Sequence, residues 1–144
     1  MSLEVTIDLS KMMKRSSGIL MPISSLPSHY GIGTLGKAAY DFVDFLVKAD
    51  QSYWQILPVG PTSYADSPYQ SPSTFAGNPY FIDLDVLVAD GLLRKDEVEA
   101  CFWGEDPAKV DYGVLYENRY PLLEIATKRG WERDEKEVAA FVKE

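Results

Sequence analysis

Two short apolar runs, separated by one amphipathic helical pattern, constrain the fold of this chain more than any other feature. The runs cover residues 18–23 (GILMPI) and 53–59 (YWQILPV), and continuous apolar runs of this length are typical of strands buried on both faces. Apolar residues recur between them at helical spacing, namely Ala38, Phe42, Phe45, Leu46 and Ala49. A strand, a helix and a strand in this order predict two parallel strands joined by a right-handed crossover.

This unit cannot account for a complete fold. A parallel sheet has several strands and is covered on both faces, whereas two strands leave both edges unpaired and open to association. The apolar pattern of the last residues, 138–142, also runs on toward residue 144 without a terminating signal. The sequence therefore predicts the first part of a larger α/β protein.

Further helical segments are predicted on both sides of the second apolar run. Thr34 is the expected N-cap of the first helix, and Asp83 or Asp85 that of a helix ending at Gly91. Three more helical segments are predicted over residues 94–102, 111–128 and 134–144. In these segments Val98 and Phe102 are expected to form an apolar pair, Pro121 to start or kink a helix, and Val138, Phe141 and Val142 to point inward.

The second apolar run is followed by a loop of 22 residues, 60–81 (GPTSYADSPYQSPSTFAGNPYF). A loop this long without periodicity is uncommon in a compact domain unless it has a function, and binding residues concentrate in such loops. Its flat aromatic rings and short polar groups suit a sugar, whose apolar C–H faces are edged by hydroxyls. On composition alone a self-packed surface loop remains the alternative. The candidate binding residues are Tyr64, Asp66, Ser67, Tyr69, Gln70 and Asn78.

Composition and single residues argue against several functional classes. The net charge of −8 argues against nucleic acid, which needs clustered Lys and Arg. His29 and Cys101 are each the only residue of their type, so neither a histidine metal pair nor a disulfide framework is expected. The N-terminus lacks the apolar core of a signal peptide, and no run approaches a membrane span; a cytoplasmic location is expected.

A glycine pattern and the single histidine are better explained by structural roles than by function. Gly31, Gly33 and Gly36 match a Gly-x-Gly-x-x-Gly pattern before a helix, but several residues separate them from the strand, so the tight turn of a dinucleotide site is lost. His29 lies in a loop rich in Gly and Pro, where a hydrogen-bonding role is more common than catalysis. The acidic residues of the later helices are interpreted as solvated faces.

Several runs taken together resemble the amylomaltase family of 4-α-glucanotransferases, also called disproportionating enzymes. They extend in order and without large gaps over about residues 17–120. They are SGILMPISSLP (17–27), YGIG (30–33), YWQILP (53–58), GPT (60–62), DSPYQS (66–71), FAGNPY (75–80) and IDL (82–84), followed by Asp111, Tyr112 and Tyr116.

The resemblance implies an α/β fold, the first βαβ portion of a (β/α)8 TIM barrel plus the start of a helical insertion. The barrel would be incomplete within this chain. Residues 1–17 would form an N-terminal tail, residues 18–84 the first strand, helix, second strand and long substrate loop, and residues 85–144 the start of the insertion. Loops after barrel strands form the active face, which is where the long loop falls.

The family moves α-1,4-glucan segments between glucan acceptors by a retaining double displacement, with an Asp nucleophile, a Glu acid/base and a second stabilising Asp. Those carboxylates belong to later strands, so the chain alone is expected to be inactive. The resemblance implies no cofactor or metal. Its expected partners are α-1,4-glucans such as maltooligosaccharides or fragments of starch or glycogen, with no nucleic acid or membrane and with self-association through exposed barrel edges.

Four residues carry the implied sugar contacts. Tyr69 would stack on the donor sugar near the cleavage point, and Ser67 would lie in the adjoining subsite. Asp66 would hold the loop, and Tyr64 would make a secondary glucan contact outside the active centre. The alternative from another class is a non-catalytic glucan-binding or interaction module, which a continuation of the chain with the family's catalytic motifs would exclude.

Overall fold

The computed structural model of the chain describes residues 15–63 and 66–143. Within them, short strands and helices follow one another in the predicted order. They are β1 (Gly18–Leu20), α1 (Lys37–Lys48), β2 (Tyr53–Gln55), α2 (Leu84–Ala89), α3 (Lys95–Glu99), α4 (Tyr112–Arg133) and α5 (Glu135–Phe141), with 3-10 turns at Ile23–Ser25 and Pro79–Phe81.

Strands β1 and β2 pair in parallel, with Gly18 opposite Tyr53 and Leu20 opposite Gln55, which confirms the predicted strand–helix–strand unit. Both are shorter than their apolar runs. The expectation of burial on both faces is wrong for the described chain, because Leu20 is 54% and Tyr53 65% exposed. Helix α1 packs on this sheet through the edge-to-face contact of Phe42 with Trp54, whose ring centroids are 5.0 Å apart. Two strands and one helix leave the rest of the sheet uncovered.

Helix α1 begins later than predicted. Its N-cap is Gly36, two residues after Thr34, and the Thr34 hydroxyl donates a hydrogen bond to the Asp83 carboxylate. The predicted stripe is also rotated, since Leu46 is buried but Phe45 is 52% exposed.

The buried side chains form three adjacent clusters. One lies beside the sheet (Ile23, Leu26, Ala39), one joins the loop after β1 to α4 (Ile32, Tyr80, Leu115), and one fills the helical part (Leu84, Leu93, Val98, Leu122, Ala126). The second cluster links the sheet region to the helices, so the ends of the long loop are anchored in the core.

The first helices of the helical part agree with the sequence at their caps and differ at one apolar position, Phe102. Asp83 caps α2 by accepting from the Val86 N–H, and Gly91 (φ 72°) follows the helix as predicted. Val98 is 1% exposed, but Phe102 is 56% exposed because α3 already ends at Glu99. The predicted apolar pair is therefore wrong.

Helix α4 is longer than predicted and passes through Pro121 without interruption. The expected inward placement of the last apolar residues is only partly right. Val138 is half-buried, whereas Phe141 and Val142 are 77% and 68% exposed along an open apolar groove between α4 and α5. Among the described helices, none combines the length and the apolar character that a bilayer crossing requires.

An ion pair fastens α3 to α4. Both guanidinium ends of Arg129 donate to the Glu97 carboxylate at 2.7 Å, and the Arg94 backbone N–H donates to the same group. The hydrogen bond from Arg129, followed by that from Arg94, lowers the pKa of Glu97 from 4.5 to about 2. A depressed carboxyl pKa contributes stability that is complete above pH 4.5 and is lost as the pH falls toward 2.

We expect Glu97→Gln to lower the melting temperature at pH 7, and the difference from the parent chain to shrink as the pH falls from 4.5 toward 2. The reason is that the protonated Glu97 of the parent resembles glutamine. Thermal unfolding followed by circular dichroism across this range measures the effect. Glu99→Gln, which removes the exposed pair with Lys95, is the matched control and should change little. A melting difference that does not vary with pH would contradict this assignment.

Candidate functional site

The loops that follow β1 and β2 meet at the carboxyl end of the two strands. The Asn78 N–H donates to the Val59 carbonyl at 2.8 Å and closes the long loop on itself. The Leu35 N–H donates to the Phe81 carbonyl at 2.9 Å and ties the loop after β1 to the end of the long loop. The polar and aromatic residues of the long loop are thus held over one end of the sheet.

Gly33 and Gly36 allow this close approach. A Cβ at Gly33 would collide with the Ile23 carbonyl, and one at Gly36 would collide with the Asp83 carboxylate. Gly31, with φ 75°, lies against the Trp103 carbonyl. The three glycines that resemble a dinucleotide fingerprint therefore serve the packing of the chain against itself.

Arg119 joins both loops to α4, and none of the sequence patterns identifies it. Its side chain is completely buried, and its guanidinium donates to the backbone carbonyls of Tyr30 and Ile82. Burial lowers its pKa to about 10. In the described part of the chain, its Nε is the one buried side-chain nitrogen or oxygen without a hydrogen bond. The available signal is its place in the stripe Leu115, Arg119, Leu122, Ala126, where a cation interrupts apolar residues.

Asp66 occupies a left-handed backbone conformation, with φ 54°, which Asp tolerates better than most residues. Its N–H donates to the Ser63 carbonyl at 3.0 Å. Burial, then Tyr120, then the negative charge of Asp66 raise the pKa of Tyr80 to about 12. Burial and then Asp66 likewise raise the pKa of Tyr112. Asp66 is therefore close to the phenols beneath the loop, as suits a residue that shapes it.

Residues 67–70 form a β-turn, in which the Gln70 N–H donates to the Ser67 carbonyl at 3.1 Å. Pro68 occupies the second turn position, where its fixed φ is favourable. The Ser67 hydroxyl accepts from the Tyr69 N–H at 3.3 Å. Tyr69 follows Pro68 at the tip of the turn and is 72% exposed. The structure thus brings Asp66, Ser67 and Tyr69 onto one stretch, while Tyr64 lies outside the described residues.

A chain of tyrosines supports the long loop from α4. Tyr80 contacts Tyr112 and Tyr120 with centroid distances of 6.0 and 5.5 Å, and Tyr120 contacts Tyr116 at 5.3 Å. Tyr80, Tyr112 and Tyr120 are at least half-buried, so their rings support the loop. Tyr116, at the end of this chain of rings, is largely exposed. The Asn78 side chain accepts from the Tyr80 N–H at 2.9 Å and is used in the same support.

A cavity of about 250 Å³ opens where the two loops meet. Its walls come from the 3-10 turn after β1, the segment after β2, the long loop and Tyr112 of α4. His29 is exposed and lies elsewhere, beside a separate surface cleft between the loop after β1 and α2. Within residues 15–63 and 66–143 no group of three or more His, Cys, Asp or Glu side chains could hold a metal ion.

Comparison with known proteins assigns this arrangement to a family. The sequence model described as 4-alpha-glucanotransferase matches residues 21–144. The chain belongs to the 4-alpha-glucanotransferase family. The resemblance noted in the sequence is thereby confirmed.

Individual relatives of this 4-alpha-glucanotransferase family support the assignment. A 4-alpha-glucanotransferase of Streptococcus pneumoniae is 61% identical over 121 residues, covering 84% of this chain and 24% of that protein. One of Thermus thermophilus is 48% identical over 114 residues, covering 79% of this chain and 22% of that protein. The chain thus spans about a quarter of the length of the curated relatives it matches.

A solved structure agrees in fold. The amylomaltase from Streptococcus agalactiae in complex with acarbose matches with a TM-score of 0.86 and 49% sequence identity. The match covers 90% of this chain and 27% of that one. This part of the 4-alpha-glucanotransferase fold is therefore an α/β segment built around the β1–α1–β2 unit.

We expect Asp66→Ala to lower the free energy of unfolding by about 1 kcal/mol, because a left-handed backbone costs a residue with Cβ roughly 1–2 kcal/mol and Asp less than Ala. Asp66→Gly should be nearly neutral, since Gly adopts this conformation freely. Urea unfolding followed by tryptophan fluorescence measures both values.

Asp50 provides a matched standard, since its φ is also 54°. Asp50→Ala should show a comparable loss. A destabilised Asp50→Ala beside an unaffected Asp66→Ala would refute the strained-backbone explanation at Asp66.

Proposed function

We propose that this chain is the N-terminal part of a 4-α-glucanotransferase and contributes donor-side sugar contacts to a glucan-transfer site. The observation that carries the proposal is the placement of Tyr69, 72% exposed at the tip of a turn in the loop after the second of two parallel strands. An exposed ring on a supported loop suits stacking on a sugar face. The 61% identity to a named 4-alpha-glucanotransferase supports the same function.

The proposed architecture is the start of a (β/α)8 barrel. Residues 18–84 would supply its first strand, first helix, second strand and substrate loop, and residues 85–144 the beginning of a helical insertion. The parallel pairing of β1 with β2 and the loops gathered at their carboxyl ends support this arrangement, because barrel enzymes bind substrate at that end. The sheet face that carries exposed Leu20 and Tyr53 is consistent with further strands in a longer polypeptide.

Each candidate residue has a separate role in this proposal. Tyr69 stacks on the donor sugar, and Ser67 both shapes the turn and lines the adjoining subsite. Asp66 fixes the left-handed backbone at the start of that turn. Tyr64 makes the secondary glucan contact. The Streptococcus agalactiae amylomaltase is in complex with acarbose, which supports a glucan-type ligand for the family site.

The chemistry itself requires groups beyond this segment. Retaining transfer needs a carboxylate nucleophile and a second carboxyl group about 5–5.5 Å away as acid and base. Asp66 adopts a left-handed backbone conformation at the start of the turn, and its N–H donates to the Ser63 carbonyl. Asp66 therefore suits a structural role better than that of nucleophile. We infer that the chain binds donor sugar and that transfer needs the remainder of the enzyme.

We expect Tyr69→Ala to weaken maltotriose binding by the chain at least tenfold, because the stacking surface is removed. Tyr69→Phe should keep most of the affinity, since the ring remains. Isothermal titration calorimetry gives both constants. Tyr40→Ala on α1 is the matched control, because Tyr40 is 73% exposed against 72% for Tyr69. Equal affinities for the Tyr69→Ala and Tyr40→Ala variants would exclude Tyr69 from the site.

The same chain should release no transfer products from maltotriose in a chromatographic assay, whereas the enzyme carrying the later carboxylates should. Turnover by the 144-residue chain would refute the proposal that transfer needs carboxylates from the rest of the enzyme. A parent polypeptide that ends at residue 144 would instead favour a stand-alone glucan-binding module.

Self-association is the second property that we propose, through the open strand edges. Leu20 on β1 is exposed and apolar, and a charge on an edge strand opposes pairing with another copy. We expect Leu20→Lys to shift the sedimentation profile toward monomer. Leu35→Lys, at a similarly exposed position outside the strands, should leave it unchanged. A parent chain that is monomeric at all concentrations would refute self-association.

A further inference from the structure

The cavity between the two post-strand loops has the dimensions of a site for one small ring. Its volume of about 250 Å³ is just below the roughly 300 Å³ at which pockets for drug-sized molecules begin. It therefore suits one ring and not an extended chain. The turn residue Pro68 forms part of its wall, so the cavity and exposed Tyr69 lie at neighbouring positions of the same turn.

The polar residues of the wall fall into two groups. The side-chain oxygen of Asn78 is already used, since it accepts from the Tyr80 N–H, and the Asn78 backbone N–H donates to Val59. The side chains of Ser24, Ser25 and Thr62 have no hydrogen-bond partner within the described part of the chain. These three aliphatic hydroxyl groups, which can donate and accept, thus border the same small space as the Tyr112 phenol.

The remaining wall restricts the chemistry of an occupant. Asp66 brings a negative charge, which disfavours phosphate or carboxylate ligands. One carboxylate with a few neutral hydroxyl groups is a poor site for Ca²⁺ or Mg²⁺, which take six or more oxygen ligands. Ile23, Leu57 and Phe81 supply apolar surface beside the hydroxyls. A neutral ring with apolar faces and hydroxyl edges meets these conditions.

We propose that this cavity is a further sugar subsite, in which Ser24 and Thr62 bind the hydroxyls of one glucosyl unit next to the unit stacked on Tyr69. The assignment rests on the proposed function, because it extends the donor side of the same site. The loop after β1 then contributes to substrate binding through its 3-10 turn, as the long loop does through Tyr69. Ser24 is held by its backbone, whose carbonyl accepts from the Gly33 N–H at 3.1 Å.

The test compares maltotriose affinities of variants of the 144-residue chain by isothermal titration calorimetry. Thr62→Val removes the hydroxyl at nearly constant shape and should weaken binding about three- to tenfold, the loss expected for one hydrogen bond. Ser24→Ala should do the same. Thr62→Ser keeps the hydroxyl and should keep the affinity, which separates hydrogen bonding from packing.

The matched control is Ser52→Ala, an exposed serine at the opposite end of β2, which should bind as the parent does. Unchanged affinity in Thr62→Val and Ser24→Ala, together with loss in Tyr69→Ala, would overturn the subsite while leaving the proposed function intact. A parent chain that binds no maltotriose would overturn both. Weaker binding in Thr62→Val with recovery in Thr62→Ser would establish the subsite.

Discussion

The buried guanidinium of Arg119, whose hydrogen-bond acceptors in the described part of the chain are backbone carbonyls, is the group on which the arrangement of both loops depends. Taking a cation out of water is unfavourable, and the lowered pKa of Arg119 reflects that burial. Carbonyl dipoles compensate for part of the loss, and these carbonyls belong to Tyr30 and Ile82, one from each loop region. Displacing either loop would leave a buried cation with fewer acceptors. The positions of the two loops are therefore coupled through α4.

Around this contact, further hydrogen bonds join segments that are far apart in the sequence. The Thr34–Asp83 hydrogen bond and the Leu35–Phe81 backbone bond join the same two segments next to Arg119. Asp83 also begins α2, so one carboxylate serves a helix cap and a loop junction together. The tyrosines between the loop and α4 complete the support.

Local sequence signals predict the elements but not the long-range contacts between them. The βαβ order, the parallel pairing, the Asp83 cap and Gly91 follow from patterns within a few residues. A threonine before a helix usually caps it, yet the Thr34 hydroxyl bonds a residue 49 positions away. Apolar periodicity does not identify Arg119 as buried, because the pattern places charged residues on the solvent face of a helix. Composition locates the candidate loop, while the turn that exposes Tyr69 and the left-handed Asp66 depend on its folded backbone.

The turn at residues 67–70 has a consequence for protein engineering. Its shape is maintained by the Pro68 ring and by the backbone hydrogen bond from the Gln70 N–H to the Ser67 carbonyl. The Ser67 hydroxyl adds a third contact by accepting from the Tyr69 N–H. The aromatic ring at position 69 adds little to folding, since most of its surface is in water. This position can therefore accept unnatural side chains or fluorophores that a core position would reject. It offers a place to attach a reporter of the local environment while the scaffold beneath it stays unchanged.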